Sequence, residues 1–302
     1  MVNKIKNIIF NIPRFLVIYS YRLFLRIKIF DPKNIPDNKS AIFAFNHVTG
    51  ADPIIVLGAL RKKIHFIASS DNFKSKLTDY FMRKFGNSIP IFKDQLSKNI
   101  KSFKELFTIS KKDKVFFGIF PEGGLNKSGN FTKFYGGTAY LSLKTKLPII
   151  PVYIHNINKG PNEKSWFGRN NVAEGILSLV MNTFKRINLF IGEPIDPMAE
   201  NILEDFKELT DKKAYKKVME RINKELVEEF TELKSEAENL FARNKNRDKA
   251  KTTDTKEIAN IKQKSFADNA SIYDTDEDDE DELFGESFND DEIIGHTGNA
   301  NS

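Results

Sequence analysis

SAIFAFNHVTGADPIIVLGAL, residues 40–60, passes from a short apolar run through a polar loop into a second apolar run that opens on Asp52-Pro53. The first run, 40–45, reads as a strand. The second, 54–60, reads as a helix, with Asp52 as N-cap and Pro53 at the first helical position, where a missing N–H costs nothing. The same alternation continues outward. Strands are predicted over 64–69, 88–92, 115–120, 149–154 and 187–191, and helices over 72–85, 97–109 and 137–145. Such alternation predicts an α/β fold with a mixed, largely parallel sheet flanked by helices.

The segments on either side differ from this body. Pro13 suits a helix start, and Arg14, Arg22 and Arg26 then fall on one side of a helix, four residues or a multiple of four apart. Phe15, Leu16, Leu23 and Phe24 lie among the apolar remainder. An amphipathic helix over 13–30 with a basic edge suits a membrane interface; packing on the domain is the other reading, and the two are compatible on different faces. The arginines interrupt the apolar run well short of the roughly 20 residues that a spanning helix needs. No small-residue cleavage site follows it, so neither a signal peptide nor a membrane span is expected. Residues 201–246 repeat apolar positions at helical spacing (Val218, Ile222, Leu226, Phe230) and read as a helical extension. After Asn244 that periodicity is lost, and 274–282 holds eight acids in nine residues. The expected organisation is a membrane-interface helical segment (1–36), the α/β domain (37–200), the extension (201–246) and a disordered acidic tail (247–302).

Charge follows the same division. Residues 251–302 carry fifteen Asp/Glu against four Lys, a net of −11, so with +6 overall the first 250 residues carry +17. A body that basic suits an anionic partner. No nucleic-acid module is recognisable, so an anionic membrane surface is the expected one. The chain has no cysteine, which removes disulfides, thiolate metal sites and a Cys nucleophile. It also has no Gly-x-Ser-x-Gly elbow. No metal is expected.

Of four histidines, His65 and His155 belong to apolar strands and read as structural, and His296 lies in the acidic tail. His47 follows a strand, where functional side chains of α/β proteins gather. On one continuous helix His47 and Asp52 would point about 140° apart. They meet only if the chain breaks between them, for which Gly50 is the candidate. An Asp on one imidazole nitrogen leaves the other free to take a proton. Three further blocks stand out. Val115–Gly124 is a strand ending in Pro121-Glu122-Gly123-Gly124, Gly86–Lys93 is a strand delivering a cation, and Leu147–Tyr153 is a proline-bracketed strand.

These four blocks, in this order, resemble the lysophosphatidic acid acyltransferase (1-acylglycerol-3-phosphate O-acyltransferase) family over residues 38–197. His47–Asp52 matches its His-x₄-Asp motif and Phe120–Gly123 its Phe-Pro-Glu-Gly motif. The resemblance implies direct transfer of an acyl group from acyl-CoA or acyl-carrier protein to a lysophospholipid hydroxyl, at the cytoplasmic face of the membrane. The protein would be peripheral or monotopic there and use no cofactor. His47 is then the base and Asp52 its partner, while Lys93, Glu122, Gly123, Gly124 and Lys127 serve the substrate. Two positions depart from the family. Lys93 stands where an Arg is usual, and Gly124-Leu125-Asn126-Lys127-Ser128 replaces a run containing Thr-Arg-Ser. Lysine keeps the charge but not the bidentate fork, so a lysolipid other than lysophosphatidic acid stays open. So do a hydrolase and a catalytically silent membrane-binding protein of the same fold.

Overall fold

The computed structural model describes residues 24, 26–92, 96–112, 114–126, 128–131, 134–159, 171–203 and 212–270. Seven strands form one sheet: β1 (Arg26–Phe30), β2 (Ala41–Phe45), β3 (Ile64–Ser69), β4 (Ile89–Ile91), β5 (Phe116–Ile119), β6 (Ile149–His155) and β7 (Arg186–Ile191). Their order is β1-β7-β6-β2-β5-β3-β4. All neighbours are parallel except β6 and β7. β1 and β7 therefore start at the sheet edge where β2, β5 and β6 end.

The described helices are α1 (Asp52–Leu60), α2 (Lys76–Tyr80), α3 (Leu96–Ser110), α4 (Gly137–Thr145), α5 (Asn171–Asn182), α6 (Glu200–Leu203) and α7 (Lys212–Ala270). Every residue of β2 is fully buried, as expected of a central strand covered on both faces. Ala41, Phe43 and Phe45 pack with Ile55, Val56 and Leu57 of α1 and with Leu179 of α5. On the opposite face Ala44 joins Ala139 and Leu143 of α4. Val218, Ile222, Leu226 and Phe230 of α7, also fully buried, complete that layer. The spacing that predicted the helical extension is thus the stripe that covers the sheet. The chain divides into two compact units, Met1–Phe241 and Ala242–Ser302; the described part of the second is the end of α7.

Four expectations change. The helix predicted through residue 30 does not include 26–30, which are strand β1, paired with β7 in register Arg26↔Arg186 to Phe30↔Phe190. Alternating Arg26, Ile27, Lys28 and Ile29 fits a pleated edge, with Ile27 and Ile29 packed inward. Residues 1–23 of that segment lie outside the described residues. The helix predicted over 72–85 is broken into a 3-10 turn (Ser70–Phe73), α2 and a π-helical turn (Phe81–Phe85). Ser69 accepts from the Asp71 N–H, and Ser75 and Thr78 exchange backbone-to-hydroxyl bonds that start a new helix. Helix α5 stands where no helix is predicted. Finally, α7 continues to Ala270, so 247–270 are helical rather than part of a disordered tail; 271–302 lie outside the described residues.

Candidate active site

At the end of β2 the strand stops pairing and the chain turns outward. Asn46, buried at 3% exposure, accepts from the Ile154 N–H (2.6 Å) and donates to the Ile154 carbonyl (3.3 Å). This side chain replaces the strand ladder at the point where β2 and β6 part, and it fixes the exit from which His47 projects. His47 Nδ1 lies 2.9 Å from Asp52 Oδ2, and the ring stacks on Phe120 at 4.1 Å. A carboxylate at Nδ1 favours the tautomer with its proton there, the arrangement that would leave Nε2 facing outward.

Asp52 is fully buried and accepts four hydrogen bonds. Besides His47, its donors are the Val48 N–H (2.7 Å), the Thr49 N–H (3.0 Å) and the Thr49 hydroxyl (2.8 Å). Asp52 is therefore not the helix cap that its place beside Pro53 suggested. It is the first residue of α1, Ala51 holds the cap position, and the carboxylate reaches back into the loop. Because that loop folds around the carboxylate, the Asp is the hub that orients the His.

Both backbone polar groups of His47 are held by the turn after β5. Glu122 Oε1 accepts the His47 N–H at 2.7 Å, and the Asn126 N–H donates to the His47 carbonyl at 2.6 Å. Gly123 has φ +68, and a Cβ there would lie 2.7 Å from the Tyr135 ring, so the turn requires glycine. A Cβ on Gly124 would meet open space. Beside this turn lies a depression of about 270 Å³, lined by Glu122, Gly124, Leu125, Asn126, Ser128, Asn130, Phe131 and Phe134. Lys234 of α7 holds its rim by donating to the Gly129 carbonyl at 2.8 Å.

Burial pushes the Glu122 carboxyl above the usual carboxylate range. The hydrogen bond from the His47 N–H, the nearby Asn126 amide and the His47 charge oppose the shift, and Asp52 reinforces it. With the folded value raised, Glu122's contribution to stability is full below the unfolded-chain value and is lost as pH rises through the folded one. Glu122→Gln keeps an acceptor oxygen for the His47 N–H and does not titrate. Thermal unfolding should show the Gln variant gaining on the parent protein from acid to neutral pH; parallel curves would contradict this.

His47, Asp52, Glu122, Gly123 and Gly124 are thus brought together, whereas Lys93 and Lys127 lie outside the described residues. His155 packs on Phe241 at 4.7 Å, consistent with a structural role. Motif reading missed Asn46, Thr49, Phe120 and Asn126, all within or next to the quoted blocks. It also missed Glu174 of α5, which is buried at 3% exposure. Glu174 Oε2 accepts the Gly50 N–H at 2.9 Å, and its Oε1 accepts from Ser178. A Cβ on Gly50 would run into that carboxylate. Gly50 is required by this close approach, not by a positive φ.

Among the described residues, no group of three or more His, Cys, Asp and Glu could hold a metal. Residues 26–155 match the family model described as Acyltransferase. The matched segment takes in the strand exit with His47, the Asp52 hub and the Glu122 turn. The chain is 24% identical over 166 residues to a 1-acyl-sn-glycerol-3-phosphate acyltransferase of Borreliella burgdorferi, covering 55% of this chain and 63% of that protein. It is 28% identical over 117 residues to one of Cocos nucifera, covering 39% and 38%. In each case the match spans less than two thirds of the relative's length. A crystal structure of the 1-acyl-sn-glycerophosphate acyltransferase PlsC from Thermotoga maritima is similar at TM-score 0.44 and 21% identity, covering 72% of this chain and 81% of that one. Glu174 lies beyond the matched segment, in the same compact unit as the sheet.

Proposed function

We propose that the chain moves an acyl group from acyl-CoA or acyl-carrier protein to the free hydroxyl of 1-acylglycerol-3-phosphate, giving phosphatidic acid. The observation that carries this is the 2.9 Å contact between His47 Nδ1 and Asp52 Oδ2. It leaves Nε2 as the base of the acyltransferase domain. The acceptor oxygen attacks the thioester carbonyl while Nε2 takes its proton. Collapse of the tetrahedral adduct breaks the C–S bond, and the imidazolium returns the proton to the leaving thiolate. One C–O bond forms and one C–S bond breaks, with no acyl-enzyme and no cofactor in the scheme. General-base assistance supplies about 10²–10⁴-fold. Positioning of the two substrates supplies much of the rest. The names of the relatives from Borreliella burgdorferi and Cocos nucifera support the acceptor.

On the acceptor side, Glu122 Oε2 is buried and has no hydrogen-bond partner among the described residues. A polar group of the acceptor, entering the neighbouring depression past Gly123 and Gly124, would satisfy it. Lys93 and Lys127 supply positive charge for the phosphate. The acceptor is presented by an anionic membrane on its cytoplasmic face. Lys93→Ala should raise KM for a phosphorylated acceptor more than KM for the acyl donor; equal changes would remove Lys93 from the phosphate site. The direct test of the activity is purified protein with labelled acyl donor and a panel of lysolipids, read by mass spectrometry of the products. Phosphatidic acid is the expected major product. Release of free fatty acid with every acceptor would overturn the reading.

A further inference from the structure

Helix α5 (Asn171–Asn182) is built inside out. Glu174, Ser178 and Asn182, spaced by four, are buried at 3%, 0% and 0% exposure. Each is used inward. Glu174 binds the Gly50 N–H, Ser178 binds Glu174, and Asn182 accepts the Asn158 N–H at 2.8 Å while donating to the Ser178 carbonyl. The opposite stripe is apolar and turned out. Ile176 is 59% exposed, Val180 65%, Met181 42% and Phe184, just beyond the helix, 65%. A helix facing water has the reverse arrangement. Phe24 extends the patch: it is 47% exposed and meets Phe184 edge-on at 5.3 Å, and its carbonyl accepts the Phe184 N–H.

Position and charge identify what covers this face. β1 and β7 start where β2 ends, so Phe24 and Phe184 stand at the same end of the sheet as His47. The inner face of α5 grips the His47–Asp52 loop itself. From Gly175 to Gly192 the charged residues are Lys185 and Arg186 only. Arg186 is exposed and in register with exposed Arg26. An apolar patch with Lys185, Arg186 and Arg26 at its margin, at the same end of the sheet as the site, matches an anionic bilayer, into which apolar side chains insert while arginines stay at the phosphates. Among the described residues no helix is long and apolar enough to cross a membrane, so this contact is with one leaflet.

We infer that the outer face of α5, with Phe24 and Phe184, is a docking surface for an anionic lipid leaflet. This deepens the proposed function and rests on it only for the purpose of docking, not for the contact. Docked this way, α5 seats the bilayer on one face and holds Gly50 on the other, so a lipid hydroxyl reaches His47 without leaving the membrane.

The test uses the full chain and vesicles of equal parts phosphatidylcholine and phosphatidylglycerol, without acyl donor. Ile176→Ser, Val180→Ser and Phe184→Ser together should lower the floated fraction at least about tenfold. Arg26→Gln with Arg186→Gln should weaken binding in low salt and little in high salt. As a check that keeps the patch apolar, Phe184→Trp in a Trp166→Phe background should shift its emission to the blue on these vesicles. Bromine-labelled acyl chains should quench that emission. Unchanged flotation of the triple variant, or no quenching, overturns the proposal. So does a parent dimer that the triple variant turns into a monomer while flotation persists, because the occupant is then a second copy. Flotation that depends on these residues in a protein that transfers no acyl group would remove the proposed function and leave the docking surface standing.

Discussion

His47→Ala should lower kcat/KM for acyl transfer by at least about 10³-fold, because it removes the proposed proton acceptor. Its imidazole is only partly buried, at 19% exposure. The loop around it is held by backbone bonds to Glu122 and Asn126 and by the Asp52 hub, all independent of the ring. The Ala variant should therefore melt close to the parent protein and dock to vesicles as it does. Steady-state rates with saturating donor, beside a thermal melt, check both halves. Substantial turnover by the variant would remove the mechanism.

Asp52 should behave differently, because it serves the loop as well as the ring. Asp52→Asn keeps the size of the side chain but turns one of two acceptor oxygens into a donor, where four donors converge. The expected result is a loss of about 10²–10⁴-fold in kcat, from a histidine held in the wrong tautomer or orientation. Asp52→Ala goes further. It leaves the buried Thr49 N–H, and the part-buried Val48 N–H, without that partner, at about 1–3 kcal/mol for the buried group. The Ala variant should thus lose both rate and melting temperature, the Asn variant chiefly rate. Equal melting temperatures for the two would show that the hub does not hold the loop.

Much of this site is legible in the sequence because its parts are local. His47 and Asp52 are five residues apart, Phe120–Gly123 is one turn, and the buried strands announce themselves as short apolar runs. What cannot be read there depends on distant pairing. Arg22 and Arg26 continue a helical spacing, yet Arg26–Phe30 becomes a strand because β7, about 160 residues later, offers it an edge. Glu174 meets Gly50 across 124 residues, with no local mark on either. Helix α5 escapes notice because its polar stripe faces in and its apolar stripe faces out, the reverse of the pattern that marks a docked helix. Beyond Asn244 the loss of apolar spacing reads as the end of a helix, but Lys and Ala, good helix formers, recur through α7 to Ala270 without it.

The central claim is that His47 and Asp52 act as one unit in a direct transfer. It is tested most directly by kcat/KM for His47→Ala, Asp52→Asn and the double variant, measured with one donor and one acceptor. If Asp52 acts through His47, removing it from a protein that already lacks the imidazole changes little, and the double variant matches His47→Ala within a few-fold. If the two losses multiply in the double variant, the residues act independently and the dyad is wrong.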